Sequence, residues 1–134
     1  MAGYSGTPLI KKLGIKPGFT VRLISPPAGY ERTLGRLPDD VTFLSRLTKD
    51  ISFIHLFAGK RAELDRNLLK AKNALSKSGL LWVSWPKKSS GVATDIDENY
   101  VRKAGLKAGL VDVKICAVDD TWSGLKFVFR LKDR

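Results

Sequence analysis

Residues 51–85, ISFIHLFAGKRAELDRNLLKAKNALSKSGLLWVSW, hold the pattern that decides the fold. The run ISFIHLF (51–57) is apolar almost without interruption, as in a strand buried on both faces of a parallel sheet. Over residues 60–78, Leu64, Leu68, Ala71 and Leu75 recur at helical spacing. Lys60, Arg61, Arg66, Lys70 and Lys77 fall mainly off that stripe, so the spacing predicts an amphipathic helix. Gly79 suits its end. LLWVSW (80–85) is a second buried strand. Strand, helix and strand in this order predict a β–α–β unit with parallel strands.

The neighbouring elements extend that unit. Upstream, FTVRLI (19–24) is a β-rich run between Gly18 and Ser25-Pro26-Pro27, residues 28–35 form a short helix ending at Gly35, and VTFL (41–44) is a short strand. Six residues, 45–50, are too few for a helical crossover into the next strand. The crossover is therefore bare, or the second strand is rudimentary or antiparallel. Downstream, Asp95 or Asp97 caps a helix running to about Leu106. LVDVKICAV (110–118) and LKFVFRL (125–131) are strands joined by a hairpin-like turn at 119–124. Residues 1–18 read as an N-terminal arm with one helical turn, capped by Ser5 or Thr7, begun by Pro8 and ended by Gly14. The expectation is one α/β domain over 19–134, a mostly parallel open sheet with a C-terminal antiparallel hairpin.

The chain has 134 residues, 43% hydrophobic and 28% charged, which suits a single domain with its own core. No apolar run approaches a membrane span, and the N-terminus lacks the basic–apolar–small order of a signal peptide. One cysteine, Cys116, excludes an internal disulfide and suggests a cytoplasmic, reducing home. The net charge is +11, and residues 1–50, 51–100 and 101–134 contribute +4, +3 and +4. So even a distribution is no basic tail. It attracts polyanions and keeps nucleic acid open as a partner. No membrane partner is expected, and the oligomeric state stays open.

Ligands of open α/β sheets bind at the carboxyl ends of the strands. After the strand at 80–85 that edge receives Lys87, Lys88, Ser89 and Ser90, then Thr94 and Asp95. If strand 110–118 runs parallel to the others, the turn adds Asp120, Trp122 and Ser123, with Lys126 behind it. Lysine ammonium groups and helix N-terminal N–H groups suit phosphate or carboxylate, and Trp122 can cover a sugar or base. The bland alternatives are a solvated lysine loop, a tryptophan plugging the sheet end, and Asp95 as a helix cap. Asp119 and Asp120 are adjacent and make a poor acid/base pair.

His55, inside ISFIHLF, reads as a buried, hydrogen-bonded histidine. Cys116 reads as an inert strand residue. One cysteine and one histidine give no thiolate–imidazole metal site, and no metal is expected. Neither G-x-G-x-x-G nor G-x-x-x-x-G-K-[ST] occurs. The prolines after the first strand lack N–H donors, so that loop is unsuited to cradling a phosphate. No cofactor is expected, and no residue is assigned a catalytic role.

Three segments, YSGTPLIKKLGIKPG (4–18), LLWVSWPKKSSGVATD (80–95) and VDVKICAVDDTWSGLKFV (111–128), resemble the motifs of a small bacterial family of uncharacterised proteins. The resemblance implies that the three polar motifs belong together, at one site, and puts an aliphatic residue at position 55. More coarsely, the helix, the strand at 80–85, the next helix and the terminal hairpin resemble the C-terminal half of Rossmann-like S-adenosylmethionine-dependent methyltransferases. ISFIHLF takes the place of that fold's fourth strand and LLWVSW of its fifth. The first loop departs from it as SPPAGY, Ser45 and Arg46 stand where an acidic residue is expected, and one strand and one helix are missing between 44 and 51. The functional expectation is a binding or regulatory module that takes an anionic small molecule or a phosphorylated partner at the strand-end edge. Lys87, Lys88, Ser89 and Ser90 hold the anion, and Trp122 with Lys126 closes the site. A divergent transferase and a nucleic-acid-binding protein are the alternatives.

Overall fold

A computed structural model describes residues 8–134. In chain order the elements are α1 (Leu9–Leu13), β1 (Thr20–Ile24), α2 (Tyr30–Leu34), β2 (Thr42–Leu44), β3 (Ile51–Phe57), α3 (Arg61–Ala74), β4 (Leu75–Pro86), α4 (Glu98–Lys107), β5 (Leu110–Ala117) and β6 (Trp122–Phe129). They build one six-stranded sheet in the order β2-β1-β3-β4-β6-β5. β2, β1, β3 and β4 are mutually parallel, and β6 is antiparallel to both β4 and β5. The α/β reading with a mostly parallel sheet and a terminal antiparallel pair therefore stands. β5 points the same way as β4, so the β5–β6 turn does reach the carboxyl edge.

β2 is parallel to β1, and it is only three residues long. Both halves of the bare-or-rudimentary alternative hold. Residues 45–50 carry no helix, and β2 is short because the crossover leaves nothing to cover it: Thr42 and Phe43 are exposed.

The sheet separates two layers of core. On one face α3 and α4 cover Ile54, Leu56, Leu81, Val83, Trp85, Leu125 and Phe127. On the other, α1 and α2 cover Val21, Phe53, Phe57 and Trp82. Alternation along β3 and β4 sends successive side chains to opposite layers, which is why both strands read as unbroken apolar runs. The described part of the N-terminal arm is part of this packing. Leu13 is fully buried, and its carbonyl accepts a hydrogen bond from Trp82 Nε1 at 2.8 Å. Pro8 and Gly14 bound α1 as expected, with Gly14 left-handed at φ +87°. The proposed caps Ser5 and Thr7 lie outside the described residues.

Two boundaries differ from the sequence reading by more than two residues. The helix predicted over 60–78 stops at Ala74, and Leu75 already pairs with Ile51 as the first residue of β4. Gly79 does not end the helix. It lies within the strand, where a Cβ would stand 2.9 Å from the Ile51 carbonyl oxygen and 3.0 Å from that of Ser52. Helical periodicity persisted in the sequence because Leu75 is buried in the same layer as Leu64, Leu68 and Ala71. The terminal hairpin is also tighter than expected. Trp122, Ser123 and Gly124 are strand residues, and the turn spans only 118–121. Asp119 Oδ1 accepts the N–H groups of Thr121 and Trp122, both at 2.8 Å, while Val118 N–H donates to the Trp122 carbonyl. This side-chain mimic of a backbone turn starts β6 three residues early.

Candidate functional site

The edge after β4 is built by backbone pairing first. Pro86 pairs with Trp122, and Lys87 N–H donates to the Thr121 carbonyl at 2.8 Å. Residues Lys88–Ser90 then make one tight helical turn that ends at left-handed Gly91. Ser90 is spent within this loop. Its hydroxyl donates to the Lys87 carbonyl at 2.6 Å and accepts the Val92 N–H at 3.2 Å. Ser89 is exposed.

Lys87, half-buried, and Lys88, exposed, line a cleft of about 420 Å³. Buried Trp85 and Ile96 supply its apolar lining, and Ser123 borders it. Asp97, Glu98 and Asn99 at the start of α4 also line it. The acidic pair is already engaged: Asp97 Oδ1 accepts the Tyr100 N–H at 2.8 Å as the α4 cap, and Glu98 pairs with Arg102 at 2.7 Å. Neither Lys87 nor Lys88 has an ion-pair partner among the described residues. Sequence reasoning named Asp97 only as a cap and missed Glu98 and Asn99. Their one signal was their position at a helix start behind a polar loop.

Thr94 and Asp95 lie elsewhere and serve the scaffold. Thr94 Oγ1 donates to the Gly59 carbonyl at 2.6 Å, Asp95 Oδ1 accepts the Arg61 N–H at 2.7 Å, and Arg61 Nε donates to the Asp95 carbonyl at 2.6 Å. Asp95 thus satisfies the first N–H of α3, while Asp97 caps α4. The two aspartates, alternatives for one helix in the sequence, cap two. Glu63 completes the α3 terminus by accepting the Gly59 N–H at 2.9 Å.

Trp122 and Lys126 are on the other face of the sheet. The Trp122 ring packs edge-on against Phe57 at 5.1 Å, in the layer under α1 and α2. Lys126 lies over the Trp82 ring, Nζ 5.8 Å from its centroid. Asp120 is exposed at the turn. Of the ten residues read as one site, the structure brings together Lys87, Lys88 and Ser123. It separates Trp122 and Lys126 from them because β6 residues alternate between faces, Ser123 toward the cleft and Trp122 away.

Behind this edge sits a buried polar chain. Tyr30 Oη is 2.6 Å from His55 Nδ1, and His55 Nε2 is 2.7 Å from Ser84 Oγ. With the Tyr30 hydroxyl donating, Nε2–H donates to Ser84. His55 and Ser84 are fully buried, and the His55 ring stacks on Phe57 at 4.1 Å. Burial lowers the His55 pKa from 6.5 to about 3, so the ring is neutral across the physiological range. The same burial raises Tyr30 well above the ordinary tyrosine value. This neutral histidine, with both nitrogens used, holds β3, β4 and α2 together.

The sequence pattern of a family described as proteins of unknown function (DUF3052) matches residues 53–131. No curated protein matches the chain. Among solved structures it is similar to a putative type 11 methyltransferase from Sulfolobus solfataricus (TM-score 0.65, 15% identity, 97% of this chain and 94% of that one). It is likewise similar to an S-adenosylmethionine-dependent methyltransferase from Aquifex aeolicus (TM-score 0.59, 16% identity, 89% and 86%). A third is the magnesium protoporphyrin IX methyltransferase of Synechocystis with bound S-adenosylhomocysteine (TM-score 0.62, 10% identity, 91% and 78%). At these identities the likeness is one of fold.

The ends of β1 and β2 depart from the glycine loop and acidic residue of Rossmann-type nucleotide sites. Dinucleotide-type sites use glycine-loop N–H groups and a carboxylate beyond the second strand. Here Pro26 and Pro27 follow β1 without N–H donors, and Ser45 follows β2. The cleft at this loop, about 350 Å³, has Glu31 and Arg32 from α2 in its wall, with no carboxylate from the second strand.

Proposed function

The chain belongs to this family of proteins of unknown function, and from its strand-end geometry we propose that it is a binding module of methyltransferase-like fold that takes a small anionic ligand beside β4. The observation that carries the reading is the cleft at Lys87 and Lys88, two cations that have no ion-pair partner among the described residues, over an apolar lining. Its wall at Asp97, Glu98 and Asn99 is rich in acceptors. The ligand accordingly carries a carboxylate or phosphate at one end and hydrogen-bond donors at the other. The engaged state of Asp97 and Glu98 favours this, because carboxylates already capped or paired repel an incoming anion less.

The test is a thermal-shift series at one fixed ionic strength with inorganic phosphate, sugar phosphates, small hydroxycarboxylates and S-adenosylmethionine. A ligand at about 100 times its dissociation constant adds ~2.7 kcal/mol, a shift of several degrees for a domain of this size. The expected result is a shift with a phosphate or hydroxycarboxylate that disappears in K87A/K88A, whose own melting temperature is unchanged. Equal shifts in both proteins overturn the reading. A shift with S-adenosylmethionine that survives K87A/K88A replaces it with a divergent transferase, the reading that the overall fold favours.

A further inference from the structure

We infer a second anion surface, unrelated to the cleft, on the face of the β5–β6 hairpin that carries Lys114 and Lys126, and assign it to the phosphate backbone of a double-helical nucleic acid. Lys114 and Lys126 are direct cross-strand partners. Such neighbours stand about 5 Å apart at Cβ, and like charges there are destabilising. Lys16, from the loop after α1, and Lys114 both act on Lys126 as neighbouring cations. Among the described residues none of the three has an ion-pair partner. Lys126 is half-buried over the fully buried Trp82, and that burial, with Lys114 and Lys16, weakens its hold on its proton. A desolvated cation crowded by like charges is relieved by a phosphate.

The form of the surface selects the partner. None of the clefts at the strand ends, at the β1 loop or between α3 and α4 is lined by these lysines. Small molecules favour concave sites, whereas a backbone of regularly spaced phosphates needs only a row of cations. The ring beneath Lys126 is fully buried and offers no stacking platform, so binding to single strands through base stacking is disfavoured. The charge of +11, spread along the whole chain, draws a polyanion from a distance.

The experiment is fluorescence anisotropy with a labelled duplex of two helical turns, titrated across a series of salt concentrations. The wild-type affinity is expected to fall steeply with salt. Removing two phosphate contacts in K114Q/K126Q lowers the slope of log K against log salt by about 1.8. K16Q lowers it by about 0.9. K103Q/K107Q, which removes the same charge from α4, changes it by less than half as much as the hairpin pair. Circular dichroism and a melting temperature no lower than wild type establish that K114Q/K126Q is folded. Absence of duplex binding by the wild type at low salt, or equal loss in the hairpin and α4 pairs, overturns the assignment. Because these lysines are not in the β4 cleft, K87A/K88A separates failure of this proposal from failure of the small-anion reading.

Discussion

His55 puts a polar ring in the middle of the most apolar strand of the chain, and its neighbours decide its chemistry. Tyr30 and Ser84 occupy both nitrogens and satisfy the neutral ring, and burial disfavours the charged one. The folded pKa is lowered from 6.5 to about 3 by burial. Between those values the unfolded chain binds the proton and the folded one does not. Stability therefore falls as pH drops from 6.5 toward 3, by up to about 1.4 kcal/mol per pH unit, and is indifferent to this group above 6.5. His55→Leu removes that acid sensitivity. It leaves the Tyr30 and Ser84 hydroxyls unpaired, at about 1–3 kcal/mol for each buried group. Urea melts at pH 5 and pH 8 check both: the variant is expected to be less stable at pH 8 and to lose less on acidification. A wild-type and variant pair with parallel pH dependence would contradict the assignment. Burial and bonding of His55 were legible, since a histidine inside ISFIHLF has nowhere else to go. Its partners were not, because Tyr30 and Ser84 come from distant parts of the chain.

Among the elements, α4 has the closest tolerance. Gly105 faces the sheet, and a Cβ there would run into the Phe127 ring of β6. Gly105 sets how near α4 lies to the sheet, and the helix continues to Lys107. Gly105→Ala gains up to about 1 kcal/mol of helix propensity, but overpacking costs about 1–3 kcal/mol. Net destabilisation is expected in chemical denaturation, and relief by the double variant Gly105→Ala/Phe127→Leu identifies the clash as its cause. The strand–helix–strand unit at 51–85 was legible because both strands are buried on two faces and the helix on one. The early start of β4 at Leu75 and of β6 at Trp122 was not. The first depends on pairing with Ile51 across the sheet, the second on the Asp119 carboxylate closing the turn.

For the whole molecule the governing quantity is charge. A net +11 over 134 residues is self-repulsive, and the ion pairs of Arg102 are half-exposed, so they offset little. Screening shortens the reach of that repulsion. The melting temperature is expected to rise as sodium chloride increases from low to physiological concentration, and scanning calorimetry measures it. A melting temperature that falls with salt would mean that surface attraction outweighs the repulsion. Among the described residues no helix is long and apolar enough to cross a membrane.

Some properties follow from local chemistry and were settled by the order of residues alone. Apolar periodicity determined the alternation of strands and helices, turn residues placed most of the breaks, and composition determined the charge. The absence of a glycine-rich first loop was equally plain. Which residues share a site was a different kind of question. Lys87 and Trp122 both lie at the carboxyl edge, yet a strand sends successive side chains to opposite faces. Whether Trp122 was a turn residue, free to lean over the lysines, or a strand residue, bound to the far face, depended on one Asp119 carboxylate. Likewise Lys114 and Lys126 are twelve positions apart in sequence and become neighbours only through the hairpin register. Hydrophobic pattern is read residue by residue, but register and facing are set by hydrogen bonds between segments. Only the tertiary structure could therefore divide the ten candidate residues between two faces.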